Sequence, residues 1–269
     1  MNKMLLFPAF CALLLTGCGG GGADIDSDTP ASVSVSGTAA IGQAVAARTV
    51  NAFCSDGKHY TSISPSNHDG YFALRLEAEA LPCALEIDTA QGYGLHGFAV
   101  QAGTANITPL TDMALALNNA THGWYNGSSH PDPALLATLA GQLDWSAADL
   151  KDKLVAAGFG VANELELLDI FNGAFSVGDS TDQLLDAIGQ AIEDSSYQNY
   201  PALRQVLLDN TSTALPDAPA NYLYDDSDAD LGLVIDEDFN ISVGTGGVGC
   251  VCMTNIHLDD NTDLPITGH

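Results

Sequence analysis

Apolar and polar positions alternate early in the chain and shift to a helical spacing later. Val33, Val35 and Gly37 alternate with Ser34 and Ser36, and residues 49–54 form a second β-rich run ending in Phe53-Cys54. Asp56-Gly57 is a hairpin-type turn signal, after which residues 59–63 alternate again. Asp69-Gly70 marks another turn and leads into Tyr71-Phe72-Ala73-Leu74-Arg75-Leu76. Residues 83–87, 95–100 and 104–108 complete the series. Short strands punctuated in this way predict a β-sandwich over residues 32–110.

After Thr111 the apolar spacing lengthens. A short helix is predicted from Asp112, capped by Thr111 or by Asp112 itself. Asp132-Pro133 supplies an N-cap and a first-turn proline for a helix whose Leu135, Leu136, Leu139 and Leu143 share one face. Ser146-Ala147-Ala148-Asp149 approximates a capping box ahead of Leu150, Leu154 and Val155, with Gly158 as the stop. Further amphipathic helices are predicted from Asn163, from Ser180 or Thr181, and from Pro201. Trp124 and Trp145 are expected as core or interface anchors. Residues 111–210 therefore read as a small all-α region. Residues 211–269 read as an acidic, loop-rich tail with short strands at 233–235 and 239–243.

The first residues follow neither pattern. Lys3 precedes an apolar run of roughly a dozen residues, the outline of a secretory signal. That run is too short for a hydrocarbon layer of about 30 Å. It ends in Leu15-Thr16-Gly17-Cys18, which resembles the lipobox of bacterial lipoproteins. The resemblance implies that residues 1–17 are removed and that Cys18 carries the lipid, palmitate included. Gly19-Gly20-Gly21-Gly22 and the acidic, turn-prone residues up to 31 read as a flexible tether. Acyl chains would anchor the protein to a membrane without crossing it. Residue 19 is Gly rather than Asp, which in lipoproteins of this kind points to the outer membrane of the cell envelope.

Charge narrows the partners. The chain has 7 Lys+Arg against 34 Asp+Glu, a formal net charge of −27. Lys3 lies in the signal and no acid does, so processing takes this to −28. Such a charge excludes nucleic acid and favours cations and cationic envelope partners. Apolar residues are 46% of the chain, enough to build a core.

With Cys11 in the signal and Cys18 lipidated, Cys54, Cys83, Cys250 and Cys252 remain. Export favours disulfides, and four cysteines allow three pairings. The favoured set joins Cys54 to Cys83, and Cys250 to Cys252 or to a metal. A Cys54–Cys83 bridge closes a loop of about 30 residues, worth about 3–4 kcal/mol in the chain-entropy picture.

Ser36-Gly37-Thr38-Ala39, Val50-Asn51-Ala52-Phe53-Cys54 and Asn67-His68-Asp69-Gly70-Tyr71-Phe72-Ala73-Leu74 resemble the carboxypeptidase regulatory-like, transthyretin-type domain. Asn106-Ile107-Thr108-Pro109-Leu110-Thr111-Asp112 resembles the exit from such domains in bacterial lipoproteins of unassigned function. The resemblance implies a rigid module used as a spacer or binding scaffold. No peptidase motif accompanies it. The expected fold class is thus α+β in several parts: a transthyretin-like β-sandwich, a small all-α region and an acidic tail.

Asp226, Asp228, Asp230 and Glu237 occupy positions 1, 3, 5 and 12 of an EF-hand-like loop, where alternating oxygens and a final Glu wrap Ca²⁺. Position 6 is Leu231 where the sharp turn wants Gly, and no helix pattern flanks the loop. A solvated acidic loop is the competing reading. Cys250-Val251-Cys252 with His257 offers thiolates and an imidazole to zinc or copper(I), with a disulfide as the alternative. Gly244-Thr245-Gly246-Gly247-Val248-Gly249 fits a dinucleotide-loop string but lacks the βαβ setting it requires. No nucleophile elbow, zincin helix or P-loop is present. His96, on a predicted strand, is expected as a satisfied structural residue. The sequence therefore predicts a membrane-anchored, non-enzymatic binding or structural module, possible Ca²⁺ assistance included. The rival is an envelope hydrolase with acidic catalytic residues, which requires a pocket where carboxylates or histidines from separate segments converge.

Overall fold

The structure, a computed structural model, describes residues 31–125, 130–160, 162–220, 222, 233–235 and 241–243. Cys18, Asp226, Asp228, Asp230, Glu237, Cys250, Cys252 and His257 lie outside the described residues, as does the tether.

The alternating segments form β1 (Ser32–Thr38), β2 (Val50–Cys54), β3 (His59–Thr61), β4 (Tyr71–Glu77), β5 (Cys83–Asp88), β6 (Gly94–Ala99) and β7 (Gly103–Thr104). They make a three-stranded sheet in the order β4-β1-β7 and a four-stranded sheet in the order β3-β2-β5-β6. All pairs are antiparallel except β1 with β7. Val35, Phe72, Leu74 and Leu76 from the first sheet share one core with Val50, Ala52, Leu85, Ile87 and Leu95 from the second. The Cys54–Cys83 disulfide joins directly opposed residues of β2 and β5.

Two glycines let the chain close against β1 and β6. A Cβ at Gly37 would sit 1.9 Å from the Ala105 carbonyl oxygen, and one at Gly97 would sit 2.5 Å from that of Asn106. Only a residue without a side chain tolerates such an approach. β7 is shorter than the predicted strand at 104–108, because Thr108 leaves the sheet to cap a helix.

That helix, α1 (Pro109–Ala116), begins before the predicted Asp112. The Thr108 hydroxyl accepts from the Thr111 N–H, and the Thr111 hydroxyl accepts from the Thr108 N–H. This reciprocal box, with Pro109 in the first turn, fixes the start three residues early. A 3₁₀ turn (Asn119–Thr121) and α2 (His122–Tyr125) follow; four residues are too few to register as periodicity. α3 (Pro133–Ala140) starts at the predicted Asp132 cap but stops before Leu143, which opens α4 (Leu143–Ala156). Ser146 is thus buried inside α4 and is not a cap. Gly158 follows the last turn of α4 with φ +84°, as the stop signal requires. α5 (Ala162–Leu167), α6 (Ser180–Asp194) and α7 (Tyr200–Asp209) complete the helices. Trp124 is buried, whereas Trp145 is 60% exposed on α4, so only the former anchors the core. β8 (Leu233–Ile235) and β9 (Ile241–Val243) pair antiparallel where the tail was expected to carry strands.

The fold is α+β. Among the described residues no helix is long and apolar enough to cross a membrane. Helix α1 covers β6, whose Leu95 through Ala99 are buried on both sides, and the α2 Trp124 reaches Glu86 on β5. Coverage of an outer sheet face by helices is what creates the site.

Candidate functional site

Strand register lays four side chains in one row across the second sheet. Thr61 opposes Asn51, Asn51 opposes Glu86, and Glu86 opposes His96. Residues directly opposed across strands share a face, so this row runs from the β3 edge to the helix-covered β6. The next row is His59, Phe53, Ala84 and Phe98. Thr61 is exposed, Asn51 and Glu86 are half-buried, and His96 is buried.

At the buried end the helices deliver a carboxylate. Asp112, in the first turn of α1, is fully buried and its oxygens are fully engaged. Oδ1 accepts from the His96 backbone N–H (3.1 Å) and from its Nδ1 (2.6 Å). Oδ2 accepts from the Tyr200 hydroxyl (2.6 Å) and from Arg204 Nη1 (3.2 Å). Tyr200 and Arg204 stand one turn apart on α7 and so reach the same oxygen. Arg204 also donates to the Gly94 carbonyl (2.6 Å) and lies over the Tyr125 ring, 5.4 Å from its centre. The Tyr125 hydroxyl donates to the Asp112 carbonyl (2.9 Å). Thr111 ties α1 to β6 by donating to the His96 carbonyl (2.8 Å).

At the other end His96 Nε2 meets Glu86 Oε1 at 3.2 Å, and the Trp124 indole N–H donates to the same oxygen at 3.3 Å. Both ring nitrogens of His96 therefore face carboxylate oxygens, an arrangement that favours the doubly protonated imidazolium. Burial works against that charge, but Asp112 and then Glu86 outweigh it and raise the His96 pKa above its ordinary value. Burial likewise pushes Asp112 up, yet His96, Arg204 and Tyr200 together hold it below the ordinary carboxylate value. Glu86 behaves the same way: burial raises it, and His96 and Trp124 bring it below. Burial and the Asp112 charge push the Tyr125 and Tyr200 hydroxyls well above the usual range. Glu86, His96, Asp112 and Arg204 thus form a chain of alternating charge with no net sum.

Glu86 is where this chain meets solvent. Its side chain is 30% exposed, and Oε2 carries no hydrogen bond among the described residues. It lines a cleft of about 500 Å³ together with Asn51, Phe53, Lys58, His59 and His130. Phe53 stacks with two imidazoles, His59 at 4.9 Å and His130 at 4.2 Å, each inclined by 17°. His59 is held by Asn51 Oδ1 at 3.0 Å. Lys58 is already paired with Glu77 at 2.6 Å and lies 3.8 Å from Asp56.

Of the residues singled out in the sequence, Cys54 and Cys83 are brought together as a disulfide, and His96 is a satisfied buried histidine. Among the described residues no group of three His, Cys, Asp or Glu is arranged to hold a metal. Sequence reasoning missed Glu86, Tyr125, Tyr200 and Arg204, and it gave Asp112 only a capping role. One signal was available: Arg204 is among only 7 basic residues, and it sits on an apolar helix pattern one turn after Tyr200. Comparison with protein-family models, with curated proteins and with solved structures finds no match for this chain. Function has therefore to be read from the residues and geometry of the site itself.

Proposed function

We propose that the protein is a lipid-anchored envelope module that binds a partner and performs no chemistry. The body is read as a sandwich of the carboxypeptidase regulatory-like, transthyretin type. Its two apolar sheet faces and the Asp69-Gly70 turn into β4 support that reading. Leu15-Thr16-Gly17-Cys18 supports anchoring at the outer membrane through Cys18.

The observation that carries the non-enzymatic reading is Glu86. It is a single carboxylate, fixed through Oε1 by two buried donors and held acidic, in a cleft lined by no second acid among the described residues. Glycoside hydrolysis needs two carboxylates about 5–10 Å apart, one of them kept protonated. Acyl transfer needs a nucleophile, and Cys54 on this wall is spent in a disulfide. The hydrolase reading retains one supporting observation, the convergence of Glu86, His59 and His130 from separate segments.

The test expresses the full chain in a bacterial host with labelled palmitate. Label on the protein and sedimentation with outer membranes are expected, and both should vanish in Cys18→Ser. Unchanged labelling or sedimentation in that variant overturns the anchor. Turnover of envelope glycans or peptides that Glu86→Gln abolishes would overturn the non-enzymatic reading and restore the hydrolase.

A further inference from the structure

We propose that the cleft above Glu86 is a binding site for a guanidinium group, presented by a small molecule or by an arginine side chain of a partner. The inference rests on the binding-module reading and deepens it by naming the chemistry of the ligand.

Three features converge on a flat cation. First, Glu86 offers an acceptor oxygen whose direction is fixed. His96 Nε2 and the Trp124 indole hold Oε1, so the carboxylate has little rotamer freedom to lose on binding, and Oε2 carries no hydrogen bond among the described residues. Behind it, His96, Asp112 and Arg204 together carry one positive charge, which keeps the Glu86 carboxylate ionised at the end of the chain that reaches the cleft. Second, the wall is built of parallel rings. His130 and His59 are exposed and both stack on Phe53, so the cleft offers exposed, near-parallel aromatic rings to a planar group. A guanidinium stacks on such faces and donates in its own plane, which a round ammonium does not. Third, the lysine of the wall does not compete, because Lys58 is paired with Glu77 and Asp56. A volume of about 500 Å³ admits an arginine side chain, and the −27 charge of the chain draws cations toward it.

The experiment titrates the full lipidated chain, in detergent micelles, with agmatine, with spermidine and with a short arginine-containing peptide at fixed ionic strength. Saturable binding of agmatine is expected, weakened at least about tenfold in Glu86→Gln by loss of the charge-assisted bond. His130→Ala, which lies outside the buried network, should weaken it several-fold while leaving the melting midpoint in place. Tighter binding of the peptide than of agmatine identifies the ligand as part of a protein partner; the reverse identifies a small molecule. The proposal is overturned if agmatine and the peptide do not saturate, if spermidine competes equally, or if neither substitution changes agmatine binding. Saturable Zn²⁺ uptake abolished by His130→Ala, with agmatine inert, overturns it as well. Palmitate labelling is independent of all these outcomes, so failure here leaves the anchored-module reading separately testable.

Discussion

Asp112 is the residue on which the site depends. It is fully buried and takes four donors, so replacing it leaves a buried imidazole and a half-buried guanidinium without their counter-charge. Asp112→Asn should cost about 3–5 kcal/mol, the usual penalty for breaking a buried pair on one side, read by chemical denaturation. His96 gives the same network a pH signature. Its folded pKa lies above the unfolded one, so its contribution is complete below about 6.5 and is lost as pH rises through the folded value. Asp112 and Glu86 have folded values below the unfolded ones. Their contribution is complete above about 4 and is lost as pH falls through the folded values. Stability should therefore be greatest between those limits, and His96→Gln should remove the alkaline-side dependence and also weaken the acid side, because His96 is what chiefly lowers Asp112 and Glu86. Asp182 shows the opposite balance. Its Oδ1 is buried without a hydrogen-bond partner among the described residues, and burial, followed by the neighbouring acids Asp186 and Asp179, raises its pKa despite the Gly178 N–H. Charged Asp182 opposes folding above its ordinary range, so Asp182→Asn should raise the melting midpoint at neutral pH.

Among the elements, the strands were legible and the site was not. Period-two alternation marks β1 through β5 because one face of each meets the core and the other meets solvent or a polar row. Asp132-Pro133 and Gly158 were legible because caps and stops are local chemistry. The early start of α1 was missed because the box uses Thr at both ends, Thr108 and Thr111, in place of the usual acidic partner. Asp112 and Arg204 are 92 positions apart, and no local pattern encodes a contact of that range. The two close-approach glycines offer a sharp test at this scale. Gly37→Ala and Gly97→Ala each drive a methyl into a backbone carbonyl that has no room to move. Each should destabilise by about 1–3 kcal/mol, measured as a fall in the denaturant midpoint at unchanged slope.

For the whole molecule, covalent and electrostatic terms dominate. Reduction of Cys54–Cys83, or Cys54→Ala with Cys83→Ala, should cost about 2–5 kcal/mol. A net charge of −27 repels itself, so the melting midpoint should rise with salt as screening shortens toward about 8 Å at 0.15 M. Ca²⁺ at fixed ionic strength should raise it further if the acidic loop binds, and Asp228→Ala with Glu237→Ala should remove only that increment. The alternating chain from Glu86 to Arg204 also couples the cleft to protons. A positive charge arriving at Glu86 Oε2 is felt by His96, whose Nε2 lies 3.2 Å from the neighbouring oxygen. Ligand uptake and proton release then become two sides of one equilibrium. Calorimetry in buffers of different ionisation enthalpy should show protons leaving as the cation enters, and affinity climbing with pH until the fold itself begins to fail.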